Sequence, residues 1–205
     1  MKRNQQRIRR FAGVRRVVIA LMAALAACGA TAGTAGAASA DDRARVGTVA
    51  APDFSAQAEA AGLSRTEAAS LQARADADAA KWGGTQVAAN KIRVPGGELI
   101  LALPGEKRAR DLGAAGGAGA AASCPYTYVC AYSGPDFTGT ELRLFTCDYP
   151  VRIYWSGTGS WINNQRAALT AKFYDANGYL GWTSPGGYSE DRYADWTWVY
   201  WLSPC

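Results

Sequence analysis

Any chemistry in this chain must come from carboxylates or cysteines, because its 205 residues include no histidine. That absence removes Ser-His-Asp and Cys-His nucleophilic catalysis, histidine-ligated zinc and a histidine pH switch. The acids of the aromatic-rich C-terminal part are Asp136, Glu141, Asp148, Asp175, Glu190, Asp191 and Asp195. A glycosidase would need two of them facing one cleft. Most stand in turn-like contexts, where Asp is common for backbone reasons, so no catalytic residue is assigned and the chain is read as a non-enzyme. Of the five cysteines, Cys124, Cys130, Cys147 and Cys205 lie in the last 82 residues. Their spacing lacks the paired C-x2-C knuckles of a zinc site. The expectation is two disulfides, with three connectivities open, and neither metal nor cofactor.

Two other constellations invite a ligand. Asn163-Asn164 resembles the start of a calcium-binding run, but Gln165-Arg166-Ala167-Ala168 does not supply the oxygen ligands that would complete it. Trp196, Trp198 and Tyr200 alternate as they would along one face of a strand. Such a stripe is one side of a core or a stacking surface for sugar rings. Core is the expectation, since residues 124–205 carry 19 of the chain's aromatic residues and must bury most of them.

The elements that position these residues follow from composition. The formal charge of +5 is carried by the front of the chain. Lys2, Arg3, Arg7, Arg9, Arg10, Arg15 and Arg16 precede any acid, and the remainder has 15 basic and 17 acidic residues, a net of −2. A nucleic-acid partner is therefore not expected. The basic run, the uncharged Val17–Ala27 and Ala38-Ser39-Ala40 have the layout of a secretory signal peptide over residues 1–40, too short in its apolar part to span a bilayer. Leu25-Ala26-Ala27-Cys28 also resembles a lipobox, so a membrane tie is expected only if Cys28 is lipidated. The predicted location is extracellular, where disulfides form.

Residues 41–110 read as a small α-β-β module or pro-segment. Ser64-Arg-Thr-Glu67 fits a capping box, Ala-rich helix formers run to about Lys81, and Gly83-Gly84 stops them. Thr85 to Val94 and Glu98 to Leu103 flank Pro95-Gly96-Gly97 as a hairpin. So small a unit buries little surface alone. Lys107-Arg108-Ala109-Arg110 is a candidate processing site or a solvated charge cluster. Residues 111–123 read as a Gly/Ala linker.

Residues 124–205 contain an internal repeat. Tyr132, Phe137 and Gly139 recur as Tyr174, Tyr179 and Gly181, offset by 42 residues, each set following an alternating strand-like run. A folded-over hairpin needs the glycine for backbone angles closed to other residues and packs its aromatic over the bend. The pattern resembles the βγ-crystallin Greek-key motif. The wider text, Cys124-Pro-Tyr-Thr-Tyr-Val-Cys130, Phe145-x-Cys147, Ser160-Trp161-Ile-Asn163-Asn164-Gln165 and the terminal Cys205, resembles the secreted actinobacterial peptidase-inhibitor family typified by the Streptomyces metalloproteinase inhibitor.

The resemblance implies an all-β, βγ-crystallin-like Greek-key sandwich with two disulfides that binds an extracellular protease, a zinc metalloproteinase, as a monomer. Of the three connectivities, the one favoured joins Cys147 to Cys205, with Cys124 to Cys130 as its complement. The contact is expected in Asp148, Tyr149, Pro150 and Val151, where Asp148 or a backbone carbonyl would approach the zinc and Val151 would fill an apolar subsite. The alternative is a killer-toxin or cell-wall glycan binder acting through its Trp/Tyr-rich surface.

Overall fold

Ser64 caps the longer of two helices, as its sequence context requires: its hydroxyl accepts from the Glu67 backbone N–H, and the Glu67 carboxylate accepts from the Ser64 N–H at 2.8 Å. The computed structural model describes residues 53–114 and 124–205. Its helices are α1 (Ser55–Ala60) and α2 (Arg65–Trp82), the latter ended by Gly83 in the left-handed region. The strands are β1 (Thr85–Ala88), β2 (Lys91–Val94), β3 (Gly97–Ile100), β4 (Tyr128–Gly134), β5 (Thr138–Leu144), β6 (Val151–Arg152), β7 (Thr158–Asn164), β8 (Lys172–Tyr174), β9 (Leu180–Thr183), β10 (Ser189–Asp195) and β11 (Trp201–Ser203). The signal-peptide and Cys28 expectations fall outside the described residues. Among the described residues no helix is long and apolar enough to cross a membrane.

The strands form two antiparallel sheets, β1-β2-β3-β5-β4-β7-β10 and β6-β11-β8-β9. The 42-residue repeat is visible in this order. It maps β4, β5, β6 and β7 onto β8, β9, β10 and β11, and the third strand of each set lies in the sheet of the other. Side chains from both sheets meet in one core, with Trp161, Phe173, Trp196 and Leu202 between them.

Residues 41–110 were expected to stand apart, yet β3 pairs with β5 from Gly97↔Leu144 to Ile100↔Glu141. All described residues belong to one compact unit. The physical reason is cover. Leu99, Ile100 and Leu101 are fully buried, and α2, which offers Ala68, Leu71, Ala75 and Trp82, packs on one side while β5 supplies the missing ladder. The expected single strand Thr85–Val94 is broken at Ala89-Asn90. There the buried Asn90 side chain donates to the Leu101 and Arg110 carbonyls and accepts from the Leu112 N–H. Asp111 and Leu112, read as linker, are also buried, Leu112 by its bond to Asn90 and Asp111 through Lys91 and Arg143. The basic cluster before them is also held: Ala109 is buried, and Arg110 bonds Glu106 and the Ala61 carbonyl.

The two repeats are joined at Gly159. Trp196 Nε1 donates to the Tyr132 carbonyl at 3.0 Å directly beside it, and a Cβ on Gly159 would overlap both atoms. Gly159→Ala is expected to lower stability by about 1–3 kcal/mol through overpacking, read as a shift in urea midpoint at unchanged slope.

Candidate functional site

Among the described residues the segment between β5 and β6 is the longest wholly exposed run near a disulfide. Phe145 through Pro150 are all exposed, between a fully buried Leu144 and a buried Val151. Two disulfides form, Cys124 to Cys130 and Cys147 to Cys205, which settles the connectivity left open by the sequence. The second ties the middle of this loop to the C-terminus, and the Asp148 N–H donates to the Cys205 carbonyl at 3.3 Å. Asp148 sits at φ +55° with its side chain 89% exposed. Lys172 Nζ lies 4.0 Å from its carboxylate, a surface pair that leaves the charge available to a partner.

The loop is also supported from the N-terminal strands. The Phe145 N–H donates to the Gly96 carbonyl, and a Cβ on Gly96 would come within 2.7 Å of the Tyr149 ring and 2.9 Å of Val151. The β2–β3 turn is thus a floor on which Tyr149 rests, half its surface still open at 46%. Phe145 packs edge-on against Tyr128 at 5.2 Å. Val151 corrects the sequence expectation. In β6 it pairs with Leu202 of β11 and is 6% exposed, so it belongs to the core and cannot enter a partner's subsite.

The two repeats position their aromatics differently. In the first, Tyr132 is buried, Phe137 meets it edge-on at 5.4 Å, and Gly139 adopts φ +81° where a side chain would collide with Ser133. Ser160 Oγ fastens this fold-over, accepting from the Phe137 N–H at 2.8 Å and donating to the Gly134 carbonyl at 2.7 Å. In the second, Tyr179 is 72% exposed and does not pack over the bend. The Asp175 carboxylate organises that turn by accepting from the Asn177 and Tyr179 N–H groups, and the positive φ belongs to Gly178. Gly181 is required for another reason: the Trp198 ring presses against it.

Other candidates resolve into structure. Asn163 is fully buried, donating to the Leu169 carbonyl and accepting from Gln165, while Asn164 donates to the Cys124 carbonyl. Among the described residues no cluster of three or more acids and cysteines could hold a metal ion. Trp196 is core, Trp198 and Tyr200 are half-buried, and only Trp201–Ser203 of that stretch pairs as a strand.

Residues 117–184 match the model of peptidase inhibitor family I36. The I36 match begins in the Gly/Ala tract, runs through β4 to β9 and includes the whole exposed loop. It is a family of inhibitors rather than of enzymes, in agreement with the composition. No curated protein and no solved structure matches the chain.

Proposed function

We propose that the protein is a secreted inhibitor of extracellular zinc metalloproteinases that acts through the loop 145–150. The observation that carries this reading is an exposed loop pinned at three places, by β5 and β6 at its ends, by Cys147–Cys205 in its middle and by Gly96 beneath Tyr149. An inhibitor must occupy a protease cleft as substrate would without gaining from cleavage. A loop already ordered in the free protein gives up little conformational freedom on binding. Asp148 or the neighbouring carbonyls are placed to approach zinc, and Tyr149, with Pro150, replaces Val151 as the apolar contact. The strand order, with the third strand of each repeat exchanged between sheets, supports a βγ-crystallin-like pair of Greek keys as the scaffold.

The test is titration of the full secreted protein against a thermolysin-like protease. Asp148→Ala and Tyr149→Ala are each expected to weaken inhibition by about tenfold or more, the loss typical of a residue at the centre of an interface. Full inhibition by both variants would place the contact elsewhere. A second reading, glycan binding, is favoured by a cavity of about 210 Å³ lined by Tyr154, Trp155, Tyr200 and Arg152, whose guanidinium stacks on Tyr200 at 4.2 Å. Retention on chitin or peptidoglycan without protease inhibition would select it.

A further inference from the structure

We propose that the cleft between β9 and β10 is a docking site for a basic side chain, lysine or arginine, presented by a protein partner. The cleft has a volume of about 130 Å³ and is lined by Trp161, Phe173, Trp182 and Trp198, together with the acidic residues Asp191 and Asp195. The rings form a continuous set: Trp161 to Trp182 at 5.4 Å, Phe173 to Trp182 at 5.1 Å and Trp161 to Phe173 at 5.7 Å. Trp182 remains 41% exposed, and β9 is exposed along its whole length.

The charge around this cavity is one-sided. No lysine or arginine lines it, and among the described residues neither Asp191 nor Asp195 makes a salt bridge. Arg192, between them in sequence, is already engaged by Asp136 and Glu190. The hydrogen bonds these two carboxylates accept all go to Oδ1, from the Tyr193 N–H at 2.8 Å and from the Thr197 N–H and hydroxyl at 2.9 and 2.6 Å. The hydrogen bonds from Thr197 hold the Asp195 carboxyl below the ordinary Asp range, so its charge persists. Asp191 lies opposite Trp161 in the ladder with β7, and the register shifts between Asp191 and Ala194.

Aromatic faces attract a cation and are made more effective by desolvation. Two unpaired carboxylates add to that attraction, whereas an apolar group would cover them without compensation and an anion would be repelled. The cleft has room for the head of one basic side chain. In the four-stranded sheet β9 and β6 are opposite edges, so this cleft is separate from the loop 145–150 and the inference stands without the inhibitory reading.

The test is NMR titration of the full secreted protein with the amides of Nα-acetyl-lysine and Nα-acetyl-arginine, beside Nα-acetyl-norleucine amide and an N-acetylglucosamine oligomer. The indole N–H signals of Trp182 and Trp198 are expected to shift saturably with the two cations, that of Trp155 to stay still, and norleucine to have no effect. The double variant Asp191→Asn, Asp195→Asn is expected to bind about tenfold more weakly while keeping its signal dispersion. Trp182→Leu removes a ring with both acids in place and is expected to weaken binding likewise. An equal response to norleucine, a response to the sugar alone, or undiminished affinity in either folded variant would overturn the proposal.

Discussion

Replacing Cys147 and Cys205 together by serine is expected to lower stability by about 4 kcal/mol, roughly twice the loss from the same change at Cys124 and Cys130. The bonds differ in the chain they close, 58 residues of separation against 6. In the chain-entropy account the longer loop restrains the unfolded ensemble more, giving about 4 kcal/mol against about 2 kcal/mol. The longer bond also holds the C-terminus beside Asp148, where the Cys205 carbonyl accepts the loop's N–H. Its removal therefore loosens the proposed contact surface as well as the fold, and inhibition should fall more than in the Cys124 and Cys130 variant. Urea unfolding of both double-serine variants, with protease titration of each, checks the pair of expectations. Equal stability losses would show that unfolded-chain entropy is not what separates the two bonds.

What could be read from the sequence was what depends on neighbours. The Ser64 and Glu67 box and the Gly83 stop are contained within one helix and formed as expected. The first repeat folded as its Tyr132, Phe137 and Gly139 require, because the glycine angle and the aromatic over it are set inside one hairpin. The second was misread because Gly181 satisfies the pattern for a packing reason, the Trp198 ring, that lies far along the chain. Val151 shows the same limit. Its place after the exposed Pro150 made it look available, but the ladder with Leu202 draws it inward. The joining of β3 to β5 was hidden for a related reason. Composition changes sharply between the two segments, yet backbone hydrogen bonding, which carries no compositional signature, makes them one sheet. The aromatic cleft at β9 and β10 needed the fold, since Trp161, Trp182 and Asp191 come from three separate strands.

Least legible of all is the charge network across the β3–β5 junction, and Arg143→Ala, which cuts it, is expected to cost about 3–5 kcal/mol. Arg143 donates to Asp111 at 3.1 Å and to Glu141 at 3.0 Å, and Lys91 bridges Asp111 at 2.9 Å and Glu98 at 3.1 Å. Glu141 has no exposed surface and accepts a further bond from the Tyr132 hydroxyl at 3.2 Å. Removing the guanidinium leaves this carboxylate buried beside a second acid with no cation on it, while Lys91 stays engaged with Asp111 and Glu98. Burial already pushes the Glu141 carboxyl above its ordinary 4.5, with Arg143 opposing that push. A group raised in the folded state contributes stability below its unfolded value and loses it as pH rises through the folded one. In the alanine variant the folded value rises further, so the loss should be greatest near neutrality and shrink as pH falls toward 4.5. Adding Glu141→Gln should recover part of the neutral-pH loss by removing the stranded charge. Urea midpoints for the single and double variants across that pH range test the network, and a pH-independent loss in Arg143→Ala would show that side-chain packing, not the Glu141 charge, was what the arginine supplied.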